Sequence, residues 1–157
     1  MRVLVFSDSH GRTQPMLDAV ECYRPDVAFH LGDVVRDGEE LRRACPQLTL
    51  YQVRGNCDYG AAGYQTEGMV RLEGKTIFYL HGHTRQVKSG PNLAVAAARA
   101  AGADILLFGH THRSLCQRYG EVLAVNPGAI LDGRCALLTW DAGGEVKVLP
   151  SSDHTRG

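Results

Sequence analysis

The sequence predicts one α/β domain built on two sheets over residues 1–150, with 151–157 as a short tail. Three observations lead there. Unbroken apolar runs alternate with helical patterns through residue 53, which implies parallel strands joined by crossovers. The text then changes to a hairpin, an alanine-rich helix and one more apolar run. From Leu115 onward it is β in character, with turns at short intervals. The expected division is a mixed inner part that carries the polar motifs and an antiparallel C-terminal part.

Val3–Phe6 is a buried strand, because four consecutive apolar residues suit a sheet covered on both faces. Met16, Leu17, Val20 and Tyr23 mark one helical face. Asp26–Leu31 is a second strand. Asp37 and Glu40 read as a capping pair for a helix running to about Cys45. Leu48–Val53 is a third strand. Met69–Leu72 and Lys75–Leu80 flank Glu73-Gly74, a hairpin turn. Pro91 to Ala101 is a helix, with Pro91 in its first turn and Gly102 as its stop. Ile105–Phe108 is buried. Leu115–Tyr119, Val122–Val125, Cys135–Thr139 and Val146–Leu149 follow, with turns at Gly120, Pro127-Gly128 and Gly143-Gly144. Residues 151–157 are expected to fray.

Composition excludes several classes. Lys and Arg number 17, as do Asp and Glu, so formal net charge is zero. Aromatic content is 7%. Both argue against an extended nucleic-acid surface. No stretch reaches the length of a membrane span, and Asp8 interrupts the first apolar run too early for a signal peptide. The five cysteines (22, 45, 57, 116 and 135) are dispersed without a C-x-x-C pair, as expected of a reduced cytoplasmic protein. Cys22, Cys45, Cys116 and Cys135 read as small buried apolar residues.

Chemistry concentrates where the apolar runs stop. Asp8 and His10 follow the first strand, Asp33 the second and Asn56 the third. His81 follows the hairpin, and His110 and His112 follow Ile105–Phe108. Each set adjoins a glycine: Gly11, Gly32, Gly55, Gly82 or Gly109. Sites in open α/β sheets gather beyond the carboxyl ends of strands. Singly, each residue suits ordinary loop chemistry. Together, seven oxygen and nitrogen ligands exceed what one ion needs and suit two divalent ions about 3.5–4 Å apart. Two such ions carry four positive charges against two from Asp8 and Asp33, so the site would attract an anionic phosphoryl group.

In order, Asp8-Ser9-His10, Gly32-Asp33, Gly55-Asn56-Cys57-Asp58, His81-Gly82-His83 and Gly109-His110-Thr111-His112 resemble the calcineurin-like metallophosphoesterases, most closely their small bacterial and archaeal phosphodiesterase branch. Asn126-Pro127-Gly128 looks like that family's closing segment. The resemblance implies an α/β/β/α sandwich with the metal site at the carboxyl ends of the strands. It implies that Asp8, His10 and His112 hold one metal, that Asn56, His81 and His110 hold the other, and that Asp33 bridges them. A bridging hydroxide would attack phosphorus, which makes Asp33, Asn56 and His81 catalytic positions. Manganese is the family's usual ion. Iron, zinc, nickel and cobalt suit the same ligands.

Many members carry histidine after the motif asparagine, where this chain has Cys57. A thiol with a pKa of about 8.5 is a poorer acid for the leaving group than imidazole. Cys57 and His83 are therefore candidate assistants, and Asn56, His83 and Arg12 candidate substrate contacts. Arg54, Arg85 and Arg113 also stand beside motifs. Asp58 reads as an orienting residue and His30 as a satisfied core histidine. A small phosphodiester is the expected substrate, because one negative charge needs less neutralisation than a monoester dianion. A homodimer fits this branch. Alternatives are a nuclease or cyclic-nucleotide phosphodiesterase, or a protein-binding scaffold like the retromer subunit of this fold. Scaffold relatives tend to lose ligand positions, and this chain keeps all seven.

Overall fold

Consecutive residues of a strand face opposite sides, so an apolar run can serve two cores at once. In the computed structural model, which describes residues 1–60, 63–142 and 144–151, β1 (Arg2–Phe6) does this. Val3 and Val5 enter a core between two sheets, while Leu4 and Phe6 pack under helices. β1 pairs in parallel with β2 (Val27–His30), and β2 with β3 (Thr49–Gln52). The crossovers are α1 (Gln14–Tyr23) and α2 (Val35–Ala44).

The second sheet starts with the hairpin of β4 (Glu67–Leu72) and β5 (Lys75–Leu80). Glu73 and Gly74 both have positive φ, 44° and 82°, as a type I′ turn requires. α3 (Asn92–Ala100) then leads to β6 (Ile105–Leu107), parallel to β5. β7 (Leu115–Tyr119) and β8 (Val122–Asn126) complete this sheet. β9 (Cys135–Thr139) and β10 (Lys147–Ser151) return to the first. Strand orders are β10-β9-β1-β2-β3 and β4-β5-β6-β8-β7.

The layers are helix, sheet, sheet, helix. Ile77, Tyr79, Ile105 and Leu107 face Val3, Val5 and Phe29 across the middle. Phe78, Leu80 and Leu106 pack beneath Ala94, Val95 and Ala98 of α3. Met16 of α1 and Leu41 of α2 cover Leu4, Phe6 and Ala28. Each fully buried large side chain contributes roughly 1.5–3 kcal/mol. Among the described residues no helix is long and apolar enough to cross a membrane.

Several expectations change. The C-terminal strands do not form their own antiparallel sheet. β8 pairs in parallel with β6, and β9 runs antiparallel to β1, because each of those strands had an edge left to pair. α2 begins at Val35, so Asp37 lies within its first turn instead of capping it. Pro91 is the N-cap of α3, one residue before the helix. Cys135 is buried and Cys45 half-buried, but Cys22 and Cys116 are exposed. Both lie on outward faces, of α1 and of the edge strand β7. β10 extends to Ser151, one residue into the expected tail. Residues 152–157 and Gly143 lie outside the described residues.

Candidate metal centre

The carboxyl ends of β1, β2, β3, β5 and β6 meet at one rim of the sandwich, and five loops leave from it. Those loops turn sharply. Asp8, His10, Asp33, His110 and His112 all have positive φ, between 44° and 69°. That region is uncommon for residues with a side chain and tends to cluster at functional sites. The backbone also comes very close here. A methyl group on Gly109 would collide with Ser7 and press on Asp8 Oδ2, and one on Gly55 would collide with the Asp33 carboxylate.

Asp8 is fully buried. Its Oδ2 accepts from the Ser7 hydroxyl at 2.6 Å and the His110 amide at 3.1 Å. Its Oδ1 is buried without a hydrogen-bond partner among the described residues, 3.3 Å from His112 Nε2, 3.9 Å from His81 Nε2 and 4.0 Å from His10 Nε2. Asp33 Oδ1 accepts from the Cys57 amide at 2.9 Å. Its Oδ2 points between rings, 3.5 Å from His81 Nε2 and 3.9 Å from His10 Nε2. Burial pushes the Asp33 carboxyl up, but His81, Cys57 and His10 outweigh it and hold the group below the usual value.

His81 is fixed by its far side. Its Nδ1–H donates to the Leu31 carbonyl at 2.7 Å, which leaves the Nε2 lone pair facing the rim. There Nε2 stands 3.0 Å from both Asn56 Oδ1 and His110 Nδ1. Burial, then the His81 ring, then Lys88 lower the His110 pKa to about 4, so the His110 ring is neutral at pH 7 and carries a lone pair. Two groups result, Asp8 with His10 and His112, and Asp33 with His81 and His110, each with ligand atoms within 4.8 Å of one another. Acceptor atoms converge here with few hydrogens to share. Such a donor set fits divalent cations.

Three buried networks hold the loops. Asp58 accepts from the Asp33 amide at 3.0 Å, the Gly55 amide at 2.7 Å and the Val35 amide at 2.9 Å. This is the orienting part expected of it. Asp37 Oδ2 accepts from the Ser9 hydroxyl and the Gly11 amide, both at 2.7 Å. His30 Nε2–H completes that chain by donating to Ser9 Oγ at 2.9 Å, while its Nδ1 accepts from the Gly32 amide at 3.3 Å. Asn126 Nδ2 donates to the Gly109 carbonyl at 3.2 Å and to Thr111 Oγ1 at 3.0 Å, bracing the His110–His112 turn. Sequence reasoning missed Ser7, Ser9 and Asp37. Asp37 could have been noticed as an acid on the inward face of an amphipathic helix.

The remaining candidates are placed unevenly. Asn56 and Cys57 are exposed at the rim. Burial, then the hydrogen bond and charge of Asp33, push the Cys57 thiol pKa up. His83 opens a 3-10 turn with its ring 5.5 Å from His81, and burial and His81 lower its pKa. Arg12 is engaged with the Leu131 carbonyl at 2.8 Å. Arg85 is engaged with Glu67 at 2.6 and 3.1 Å. Arg54 Nε is buried without a hydrogen-bond partner among the described residues.

The chain can be set beside known proteins on this basis. The model of the calcineurin-like phosphoesterase superfamily domain matches residues 1–138. The Bacillus subtilis (strain 168) protein named probable metallophosphoesterase YsnB is 32% identical over 133 residues, covering 83% of this chain and 75% of its own. Phosphodiesterase YfcE of Escherichia coli (strain K12) is 28% identical over 158 residues, covering 83% and 79%. The crystal structure of a Streptococcus pneumoniae TIGR4 protein described as a predicted phosphoesterase has a TM-score of 0.74 at 26% identity, covering 96% and 97%. The family model spans all five rim loops, and the chain belongs to the calcineurin-like phosphoesterase superfamily.

Proposed function

We propose that this chain is a phosphodiesterase working with two divalent cations, manganese first among them. The observation that carries this reading is the aim of two carboxylate oxygens. Asp8 Oδ1 and Asp33 Oδ2 both point between imidazole nitrogens, and among the described residues the Asp8 atom has no hydrogen-bond donor. In this reading Asp8, His10 and His112 hold one ion, Asn56, His81 and His110 the other, and Asp33 stands between them. Two bound divalent ions supply positive charge to a phosphoryl group and lower the pKa of water.

The chain's own residues do the rest. The Leu31 carbonyl keeps the His81 proton on Nδ1, so that Nε2 remains a ligand. Asp58 sets the Asp33 and Asn56 loops against each other through three amides. His83 is a neutral imidazole at the rim, positioned to hydrogen-bond an ester oxygen. Cys57 keeps its proton at neutral pH but is a weak acid toward a leaving alkoxide. Esters with acidic leaving groups are therefore the best substrates, and small diesters are the preferred class, as the name of YfcE suggests. Residues 1–150 act as one domain, and the dispersed cysteines suit a reducing cytoplasm.

The test is hydrolysis of bis(p-nitrophenyl) phosphate with added manganese, alongside elemental analysis. Two ions per chain are expected. Asp33→Ala and His110→Ala should each lose at least about a hundredfold in rate, since even partners of metal ligands are worth 10–100-fold. Wild-type rates in both variants would rule out the two-metal reading.

A further inference from the structure

Beside the His110–His112 turn a cavity of about 520 Å³ opens. Val87, Pro91, Phe108, Thr111 and Leu115 are among the residues that line it. Its volume falls in the range of roughly 300–1,000 Å³ that receives small organic ligands. The floor is apolar: Val87 and Phe108 are buried, and Pro91 and Leu115 half-buried. Lys88 and Arg113 also line it, and among the described residues none that lines it is acidic. Among the described residues neither cation forms an ion pair, unlike Arg85, which is bound to Glu67.

This cavity borders the turn that carries His110 and His112. Thr111 lines it and lies between His110 and His112 in the chain. Asn126, which braces that turn, also lines it. Lys88 is close enough for its charge to act on His110, behind burial and the His81 ring. A purely apolar occupant would leave both cations without a counter-charge. Inorganic phosphate alone would leave the floor uncovered. A ring that carries its own anionic group satisfies both.

We propose that the cavity binds one substituent of the phosphodiester, a ring system bearing a second anionic group, with Val87, Phe108 and Leu115 against the ring and Lys88 and Arg113 on the anion. The preferred substrates are then esters with a second charge beside an aromatic or nucleoside body, not simple alkyl diesters. This rests on the phosphodiesterase reading and names its substrate class.

Two thymidine esters test it. Both carry a p-nitrophenyl 5′-phosphodiester, and one has an added 3′-phosphate. With manganese, kcat/KM should be about tenfold higher for the 3′-phosphorylated ester, a fair return for one charge-assisted contact. In the Lys88→Gln/Arg113→Gln double variant the ratio of the two should fall to about one. Binding is read separately in metal-free protein, by amide NMR with thymidine 3′,5′-bisphosphate. Val87, Phe108 and Leu115 amides should shift, and the affinity should drop about tenfold in the double variant. A wild-type ratio near one, a ratio that survives the double substitution, or unmoved amides would each overturn the proposal. If neither ester is hydrolysed, the phosphodiesterase reading fails, and the NMR titration still decides what the cavity binds.

Discussion

His81 at the end of β5 donates from Nδ1 to the carbonyl of Leu31, just past β2, at 2.7 Å. The two strands belong to different sheets, so this bond ties the sheets together at the rim. It also decides which ring nitrogen remains free. Structure and candidate chemistry thus share one side chain.

Replacing His81 should therefore have two effects, and replacing His112 only one. The His81 side chain is fully buried, whereas that of His112 is 41% exposed. In metal-free protein, His81→Ala should cost roughly 2–4 kcal/mol, from a cavity and an unpaired Leu31 carbonyl. His112→Ala should stay within about 1 kcal/mol. Both should lower metal content. Urea unfolding with elemental analysis separates the effects. Equal midpoints for the two variants would mean that the Leu31 bond carries little.

Gly109→Ala tests the close approach of the β6 loop to β1. The added methyl would meet Ser7 and Asp8 Oδ2. Overpacking of this kind costs about 1–3 kcal/mol. It should also push Asp8 off its Ser7 and His110 donors and weaken metal binding. Pairing it with Ser7→Gly makes room and should recover part of both losses. Thermal unfolding and metal titration of the single and double variants give the answer. A neutral Gly109→Ala would show that the loops yield easily.

What is legible in the chain follows from how far each signal reaches. Asp8, His10, Asp33, Asn56, His81, His110 and His112 each interrupt or follow an apolar run next to glycine, and that pattern is local. The strand ends then bring them together, as the distances at the rim record. Strand partners are nonlocal. Nothing within Cys135–Thr139 says that it will lie against β1 and not beside β8. Asp37 shows a subtler limit. Its spacing to Glu40 looks like a cap, yet its carboxylate bonds Ser9 and Gly11, 28 and 26 residues away. Cys22 and Cys116 were expected inside on residue type alone, and the face each occupies turns outward.

His30 gives a pH dependence with a definite sign. Burial is the main cause that lowers its pKa, from 6.5 to about 4, against the pull of Asp37 and Asp58. Protonation would put a hydrogen on Nδ1 facing the Gly32 amide. The unfolded chain therefore takes up a proton that the folded protein refuses. This stability is whole above about pH 6.5 and is lost as pH falls toward 4. Between pH 7.5 and 4.5, metal-free wild type should lose about 2–3 kcal/mol more than His30→Gln. Denaturant titrations at the two pH values measure it. Parallel losses would mean that other groups set the acid limb.

Cys57 is where the chain departs from the pattern it otherwise keeps, and Cys57→His reverses the departure. The Cys57 amide, which donates to Asp33 Oδ1 at 2.9 Å, survives the change. Only the side chain differs, from a thiol whose pKa is pushed up by burial and Asp33 to an imidazole that can carry a proton. Its gain should therefore depend on the leaving group. For alkyl esters, whose alkoxide needs a proton, kcat/KM should rise about tenfold or more, at the low end of what a positioned acid supplies or somewhat below it. The gain should shrink toward nothing as the leaving group becomes as acidic as p-nitrophenol. It should also be greatest below about pH 6.5, where imidazole is protonated, and fade above. A series of aryl and alkyl diesters at pH 6 and 8 reads both trends. The same gain across the whole series would mean that residue 57 acts on binding or on the Asp33 loop, and not on the departing oxygen.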